Sequence, residues 1–460
     1  MGLIEKTATE IVGLLARREV TTGDLLDALE ARVARVEPAV NALPTLCFER
    51  ARAWRAADGV LHGLPVAIKD LSAVAGVRTT YGSTVFADHV PETSDHVVER
   101  VEAAGGVVYA KTNTPEFGAG AQTFNAVFGP TRNPWNTALT PAGSSGGSAV
   151  ALKTGTAWLA QGSDLGGSLR NPASFCGVAG LRPSVGRVPF GPAPDPWNNL
   201  SVEGPMARTV EDLGLFLDAL SGADAREPLA LDAPPRPFRA WAASPTLPKR
   251  VAFSPDLGGI TPVDPEVAAL CEAAALRFEK LGVTVERASP DFSGAHACFQ
   301  TLRALGFATA HRETLATHRE ALKPDVVWNI EKGLKLTGED VAAALAARGA
   351  IMGRARAFFE TYDLLLCPAT IVPPFPVEER YVTSCDGVTF ETYVDWLAIV
   401  YAVTLTGHPA LSLPCGFTAR GLPVGLQMVG RWHGEGPLLA HAAALEADLG
   451  LDHRPIDPRS

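Results

Sequence analysis

The chain has 460 residues, of which 47% are hydrophobic and 20% charged, so a disordered or fibrous protein is excluded and a large folded domain is expected. Its net charge of −10 disfavours nucleic acid and anionic membrane surfaces as partners. Seven scattered cysteines follow neither a disulfide framework nor a zinc-ligand spacing, and we interpret them as reduced thiols of a cytoplasmic protein.

The N-terminal region, residues 1–60, is predicted to be a helical layer. Charged residues interrupt its apolar runs, so we expect neither a signal peptide nor a membrane span. Apolar residues at helical spacing predict two helices over 7–36, and an Ala/Arg-rich segment predicts a third over about 45–58. From 61 to 225, short apolar runs alternate with helical patterns. That alternation predicts the α/β class, with a central sheet between helical layers.

A proline-rich segment divides the chain. Residues 226–249 contain too many prolines for a regular element and are predicted to be a surface connector. Strand and helix patterns resume over 250–450, with a mainly helical segment at 295–345. Because strand-like runs lie on both sides of the connector, we expect one large domain rather than two.

Two loops rich in glycine and serine, residues 143–148 and 162–168, flank an apolar segment. A flexible linker is the ordinary interpretation of such a composition, but a linker does not normally recur with an apolar helix and strand between its copies. A phosphate-binding loop would need GxxxxGK[ST] or GxGxxG, and neither pattern is present. Nucleophilic catalysis remains, because glycines let backbone N–H groups approach an oxyanion while a serine hydroxyl stands among them.

A catalytic serine needs a base, and the sequence offers a lysine more readily than a histidine. No histidine lies in or near the two loops, and the GxSxG pattern is absent. Lys69 ends the apolar run GLPVAIKD (63–70), where burial could remove its proton. Lys111 ends a similar run and is a rival candidate. Ion pairing of Lys69 with Asp70 or another carboxylate is the structural alternative, and a Schiff base on Lys69 is an alternative of another chemical class.

Eight segments resemble the amidase signature family and occur in that family's order between about residue 5 and residue 447. The stretch from 142 to 188 is long and specific to that family. The segments are GLPVAIKD (63–70), VVYAKTNTPEF (107–117), FGPTRNPWN (128–136), AGSSGGSA (142–149), GSDLGGSLRNPASFCGVAGLRPSVGRV (162–188), GPMARTVEDL (204–213), GHPALSLPCG (407–416) and GLPVGLQMVG (421–430).

The resemblance implies a single α/β/α domain with a mixed, twisted sheet and a catalytic core within 61–225. By position, Ser168 would be the nucleophile, Ser144 the bridging serine and Lys69 the base; this choice of lysine comes from the resemblance. A cis peptide bond would join Gly143 to Ser144, and a supporting hydroxyl would come from the next serine, Ser145. The implied chemistry requires neither a metal nor an organic cofactor. The oxyanion hole would consist of the backbone N–H groups of Leu165, Gly166, Gly167 and Ser168.

The resemblance leaves the substrate open. We expect a free-standing hydrolase of small-molecule amides, able to extend to carbamates and esters, that acts as a monomer or homodimer. The alternative is the A subunit of a glutamyl-tRNA amidotransferase, which releases ammonia from glutamine for a partner subunit.

Selectivity is expected in the segments least like the family, residues 295–345 and 371–390, because variable loops usually carry it. Asn171 is a pocket candidate, since subfamilies differ at that position, and Arg170 is interpreted as structural. The aromatic residues of these variable segments include Trp328, Phe375 and Tyr381.

Overall fold

The computed structural model of the chain describes residues 2–459. Within them the α-helices are α1 Ala8–Ala16, α2 Thr22–Val40, α3 Phe48–Ala53, α4 His96–Ala103, α5 Gly146–Thr154, α6 Arg170–Cys176, α7 Val210–Leu220, α8 Phe238–Ala242, α9 Pro265–Ala275, α10 Arg277–Lys280, α11 Ala295–His318, α12 Pro324–Leu334, α13 Gly338–Thr361, α14 Ala398–Thr406 and α15 Glu435–Leu449. The strands are β1 Thr45–Leu46, β2 Pro65–Lys69, β3 Val107–Thr112, β4 Phe124–Asn125, β5 Gly129–Pro130, β6 Leu159–Asp164, β7 Ala179–Arg182, β8 Val202–Ala207, β9 Arg250–Phe253, β10 Thr284–Arg287, β11 Leu364–Pro368, β12 Ser384–Cys385, β13 Val388–Thr389, β14 Ala410–Phe417 and β15 Pro423–Val429.

One 11-stranded sheet runs through the molecule, in the order β1-β3-β2-β6-β8-β7-β14-β15-β11-β9-β10. It is mixed, since β2 pairs parallel with β3 and β6 while β14 pairs antiparallel with β7 and β15. Strands from the two halves of the chain meet where β7 lies beside β14. The predicted α/β class with a mixed sheet in one large domain is confirmed.

Helices cover the sheet. α6 packs against β14 and β15, α7 against β8, and α9 against β11. Strands β2, β3, β6 and β11 are buried at every position. Strands covered on both faces are expected to be continuously apolar, and this explains the hydrophobic runs that begin β2 and β3 and form β11.

Local sequence signals set the helix boundaries near the N-terminus. α1 begins with a capping box between Thr7 and Glu10, and α2 begins with one between Thr21 and Asp24. In each box the threonine hydroxyl accepts from a backbone N–H that has no partner inside the helix. The two helices predicted over 7–36 are therefore present, and α2 continues to Val40.

Two predicted elements differ from the structure. The helix expected over 45–58 is short, because β1 occupies Thr45–Leu46 and α3 ends at Ala53. The connector 226–249 was expected to hold no regular element, and this is wrong, since it contains α8. The buried residues Phe238 and Ala242 lie one turn apart and pack α8 against α7 and α15. Pro237 stands just before the helix, where its missing N–H costs no helical hydrogen bond.

The sheet brings the two glycine–serine loops to one edge. β2 and β6 are parallel neighbours, so their carboxyl ends, at Lys69 and Asp164, lie at the same edge of the sheet. The loop 143–148 leads into α5, and the loop 162–168 continues from β6 toward α6. Such an edge is where α/β sheets commonly place their ligands.

No helix among residues 2–459 is both long and apolar enough to cross a membrane. The same residues hold no group of three or more His, Cys, Asp or Glu side chains arranged to hold a metal ion. The seven cysteines are free thiols, and six of them are buried.

Candidate active site

Lys69 lies at the end of β2, surrounded by serine hydroxyls. Its Nζ is 2.6 Å from the Oγ of Ser144, 2.9 Å from that of Ser145 and 3.0 Å from that of Ser163. The exposed fraction of Lys69 is 0%. Its backbone N–H donates to Oε1 of Gln161 over 2.9 Å, which holds the end of the strand in place. Two of the predicted site residues, Lys69 and Ser144, are therefore in direct contact.

Burial lowers the pKa of Lys69 below its ordinary value, because an ammonium group loses its hydration inside the protein. The charges of Glu203 and Asp164 oppose this shift without cancelling it. A charged lysine donates three hydrogen bonds, which matches three hydroxyl oxygens. A neutral amine donates two and accepts one, so one hydroxyl would then donate to Nζ. The Ser144 hydroxyl, at 2.6 Å, is placed to be that donor.

The first glycine–serine loop is held in place by backbone geometry and by one threonine. Gly143 has a φ of +59°, and a β-carbon there would lie 2.5 Å from Cδ of Pro172, so the position requires glycine. The Thr123 hydroxyl donates to the Gly143 carbonyl over 2.9 Å and accepts from the Gly146 N–H over 3.1 Å. No sequence pattern points to Thr123, because its role depends on a loop 20 residues further along the chain.

The predicted cis peptide bond between Gly143 and Ser144 is wrong. That bond is trans, and the cis bond found within residues 2–459 joins Gly191 to Pro192. A cis bond that does not precede proline costs about 3–4 kcal/mol. Here the left-handed conformation of Gly143 turns the chain, and Ser144 reaches Lys69 through a trans bond.

Ser168 lies between β6 and α6 and is partly exposed. It lines one cavity together with Ser144 and Ser163. No hydrogen bond joins the hydroxyls of Ser168 and Ser144 within residues 2–459. The structure thus brings the three predicted residues to one place, with the lysine–serine contact formed and the Ser168 hydroxyl on the cavity wall.

The backbone N–H groups predicted to form an oxyanion hole differ in their partners. The N–H of Gly167 donates to Oδ1 of Asp164 over 2.9 Å, so this donor is engaged within the protein. In the part of the chain that the structure describes, the N–H groups of Leu165, Gly166 and Ser168 have no acceptor, and these residues line the cavity. Three of the four predicted donors are therefore available.

Asp164 fixes the loop that carries Ser168. Its two carboxylate oxygens accept from Arg170 over 2.9 and 3.0 Å, and one of them also accepts from the Leu169 N–H over 3.1 Å. Arg182 supplies a second cation, 3.5 Å away. Burial alone would raise the pKa of Asp164, but the charges of Arg170 and Arg182 hold it below its usual range. The contacts of Arg170 agree with its interpretation as a structural residue.

Glu203 is a buried carboxylate connected to Lys69 through Gln161. The Gln161 side chain donates to Oε2 of Glu203 and accepts from the Lys69 backbone N–H. Burial raises the pKa of Glu203, and the charge of Lys69 opposes that shift. Sequence reasoning missed both residues. Glu203 lies 42 residues from Gln161, and the two meet only because β6 pairs antiparallel with β8.

The cavity beside Ser168 has a volume of about 100 Å³ and walls that are mainly apolar and aromatic. One face of α11 supplies Phe299, Arg303 and Phe307, which lie four residues apart. Phe299 also closes the cavity against the loop 165–168, since a β-carbon on Gly166 would lie 3.0 Å from its ring. Residues of the segment 295–345 therefore form part of the wall of this cavity, and the expectation that the segment shapes the substrate pocket stays a prediction.

The segment 371–390 contributes no residue to the lining of this cavity, so its expected part in selectivity gains no support from the cavity. The wall is completed instead by Tyr393 and Leu397, just beyond that segment. The three aromatic residues named from the two variable segments do not line the cavity. Phe375 is 6.0 Å from the rings of Phe175 and Trp396, while the rings of Trp328 and Tyr381 lie 6.0 and 6.4 Å from that of Tyr393.

Lys111, the rival lysine, is fully buried but lies in a different environment. Its Nζ is 3.1 Å from Oδ1 of Asp70 and donates to the Thr79 hydroxyl over 2.7 Å. Asp70 is thus the partner of Lys111 rather than of Lys69. This arrangement removes the structural alternative in which Lys69 pairs with its neighbour in sequence.

Asn171 lies behind the loop 165–168 rather than on the wall of the cavity. It is 1% exposed, and its backbone N–H donates to the Gly167 carbonyl over 2.7 Å. A β-carbon on Gly167 would lie 2.1 Å from Oδ1 of Asn171. Its effect on a substrate would therefore be exerted through the loop.

A family model for amidases matches residues 24–439 of the chain. The chain belongs to the amidase family. It is 35% identical to an acylamidase of Rhodococcus erythropolis, over 98% of this chain and 97% of that protein. It is also 34% identical to the A-type subunit of the glutamyl-tRNA(Gln) amidotransferase of Moorella thermoacetica, over 99% of each chain.

Two solved structures of the family share the fold. One is 6-aminohexanoate cyclic dimer hydrolase in complex with its substrate, which is 29% identical and superposes with a TM-score of 0.89 over 100% of this chain and 99% of that chain. The other is a bacterial aryl acylamidase of the amidase signature family, which is 25% identical with a TM-score of 0.89 over 96% of each chain. The fold of this amidase-family chain is the amidase signature fold.

Proposed function

We propose that this amidase-family chain hydrolyses small-molecule amides through an acyl-enzyme formed on Ser168. The observation that carries the proposal is the 2.6 Å contact between the fully buried Nζ of Lys69 and the Ser144 hydroxyl, in a cavity that Ser168 also lines. An uncharged amine next to a hydroxyl is a proton acceptor, which a serine nucleophile requires. The acylamidase and aryl acylamidase among its relatives support amides as the substrate class.

In the proposed reaction, neutral Lys69 accepts the Ser144 proton while Ser144 accepts the Ser168 proton, and Ser168 Oγ attacks the amide carbonyl. The free N–H groups of the loop stabilise the oxyanion. The proton then returns through Ser144 to the leaving nitrogen, the C–N bond breaks, and the acyl group remains on Ser168. Water attacks this ester while the same relay takes its proton, and the relay returns that proton to Ser168 Oγ as the C–O bond breaks and the acid leaves. Carbamates and esters present the same carbonyl carbon and extend the proposed scope.

Replacement of the proposed nucleophile and base tests this function. We expect Ser168→Ala and Lys69→Ala each to lower kcat/KM for a 4-nitroanilide by ~10³-fold or more, since each removes a group that acts in every step. Circular dichroism should show both variants folded. Ser221→Ala is the matched control, because Ser221 is a buried serine at the far end of α7. Near-normal turnover by a folded Lys69→Ala protein would exclude the relay.

A second candidate function is that of the amidotransferase component, which the 34% identity to such a protein over 99% of each chain favours. The two functions differ in their need for a partner. The purified chain should be incubated alone with a 4-nitroanilide, a 4-nitrophenyl ester and an aryl carbamate. Turnover of the anilide by the chain alone supports the hydrolase. If no substrate is turned over until a partner protein is added, the result supports the amidotransferase.

A further inference from the structure

Arg303 is the one charged side chain on the wall of the cavity beside Ser168 within residues 2–459. It is 6% exposed. Its Nη2 donates to the Tyr393 hydroxyl over 2.6 Å, and its Nη1 donates to Oδ1 of Asn329. Both acceptors are neutral, and no carboxylate in the described chain forms an ion pair with this guanidinium. A guanidinium keeps its charge at neutral pH, so the cavity contains an uncompensated positive charge.

The carboxylates on neighbouring elements already have other partners. Asp325 is 2.9 Å from the guanidinium of Arg380 and 3.6 Å from the ammonium of Lys323. Asp395 accepts from the Gln300 side chain over 3.2 Å and from the backbone N–H of Thr392 over 2.8 Å. Neither carboxylate forms an ion pair with Arg303 in the part of the chain that the structure describes.

The environment of Arg303 leaves room for a ligand. A guanidinium has five N–H groups, and protein acceptors take two of them. The rings of Phe307 and Tyr393 lie 4.6 and 5.2 Å from its Cζ, and they hold its plane without supplying an anion. A buried charge without a counter-ion is costly, so its position beside the nucleophile is best explained by an anion that arrives with the substrate.

We propose that Arg303 is a specificity-determining residue that binds a carboxylate of the substrate. The amides preferred by this chain then carry a carboxylate separated from the scissile bond by a short apolar or aromatic segment. A carboxylate can accept two parallel hydrogen bonds from the planar guanidinium in a bidentate pair. The apolar segment matches the walls formed by Phe117, Phe299 and Phe307. This inference rests on the proposed amide hydrolysis at Ser168.

Two pairs of matched substrates test it, one pair for each side of the scissile bond. On the acyl side, the mono-4-nitroanilide of glutaric acid is compared with the 4-nitroanilide of pentanoic acid. On the amine side, the butyryl amide of 4-aminobenzoic acid is compared with that of 4-methylaniline. We expect the acid to have a kcat/KM at least about tenfold higher than its uncharged match in one pair. Arg303→Gln should bring that ratio close to one, and Arg303→Lys should retain part of it.

Arg348→Gln is the control, because Arg348 is a partly buried arginine on α13 that donates to the Leu405 carbonyl and does not line the cavity. It should keep the wild-type ratio. A merely structural role of Arg303 would lower turnover of both members of a pair and leave their ratio unchanged. No preference for the acid in either pair, or a preference that survives Arg303→Gln, would overturn the inference.

A further measurement covers the case in which Arg303→Gln does not fold. In the wild-type protein, 4-phenylbutyrate should inhibit hydrolysis of the uncharged anilide competitively and at least about tenfold more strongly than 4-phenylbutanol. Equal inhibition by the two compounds would count against a carboxylate site. The two proposals fail separately, because hydrolysis of all four amides at equal rates would remove the role of Arg303 alone, whereas hydrolysis of none would remove the amidase function.

Discussion

Two lysines at the ends of neighbouring parallel strands differ in what surrounds their ammonium groups. Lys69 and Lys111 are both fully buried. Lys111 lies 3.1 Å from the carboxylate of Asp70, which favours its charged form. Lys69 has only neutral hydroxyls within hydrogen-bond distance of Nζ, so desolvation acts on it without a carboxylate in contact. This difference makes Lys69 the better proton acceptor.

The pH dependence of the reaction should respond to Glu203. The proposed reaction needs neutral Lys69, so we expect kcat/KM to rise with pH as Lys69 loses its proton. The charge of Glu203 raises the pKa of Lys69, and removing that charge lowers it. We therefore expect Glu203→Gln to move the acidic limb of the kcat/KM profile to lower pH, measured with a 4-nitroanilide. Glu286→Gln, which removes a surface partner of Arg250, should leave the limb in place. A shift to higher pH would contradict this coupling.

The loop 165–168 should tolerate no side chain at Gly167. Its φ is +102°, and a β-carbon would lie 2.1 Å from Oδ1 of Asn171 and 2.5 Å from Cγ2 of Val400. We expect Gly167→Ala to lower kcat by ~10²-fold or more, because the loop must move and its free N–H groups move with it. Gly259→Ala is the control for the positive φ alone. Gly259 also has a positive φ, +83°, but a β-carbon there would have no atom within 4 Å. Equal turnover by the two variants would show that the loop can absorb the clash.

At the scale of elements, the sequence points to the candidate catalytic residues more readily than to the residues of the cavity wall. Strand β2 and the glycine–serine loops have short local patterns that make them candidates, and the family resemblance then selects Lys69 over Lys111 and assigns roles to Ser144 and Ser168. Arg303 has no such pattern. It lies in a long helix, and only the tertiary packing of α11 decides which of its faces meets the cavity. Glu203 depends in the same way on the pairing of β6 with β8.

The connection between β6 and α6 should depend on the charge of Asp164. This fully buried carboxylate accepts hydrogen bonds from Arg170 and from the Gly167 and Leu169 N–H groups. We expect Asp164→Asn to lower the free energy of unfolding by about 3–5 kcal/mol, because two buried arginines lose their counter-ion. Urea denaturation monitored by circular dichroism measures this. Glu286→Gln, at an exposed ion pair, should leave the denaturation midpoint almost unchanged. An Asp164→Asn protein as stable as wild type would show that the loop is held by other contacts.

At the scale of the molecule, the two halves of the chain share one sheet. Strands before residue 226 and strands after residue 249 meet at the β7–β14 pair, in the middle of the strand order. Helices add contacts across the same boundary, since α7 packs against α8 and α15. The expectation of one domain rather than two followed from strand-like runs on both sides of the connector. The short helix within the connector could not be expected from composition, because its stability comes from burying Phe238 and Ala242.

Cutting the connector should therefore leave the protein assembled and active. A specific protease site is inserted between Ala233 and Arg236, where most side chains are exposed. After cleavage we expect size-exclusion chromatography to show one species of unchanged size, with anilide turnover close to that of the uncut protein. The reason is that β7–β14 pairing and α7 packing bury apolar surface that each half would expose alone. The uncut insertion variant shows the effect of the inserted residues alone. In urea the two fragments of the cleaved protein should separate. Separation of the fragments without denaturant would show instead that each half of the sheet folds as a unit of its own.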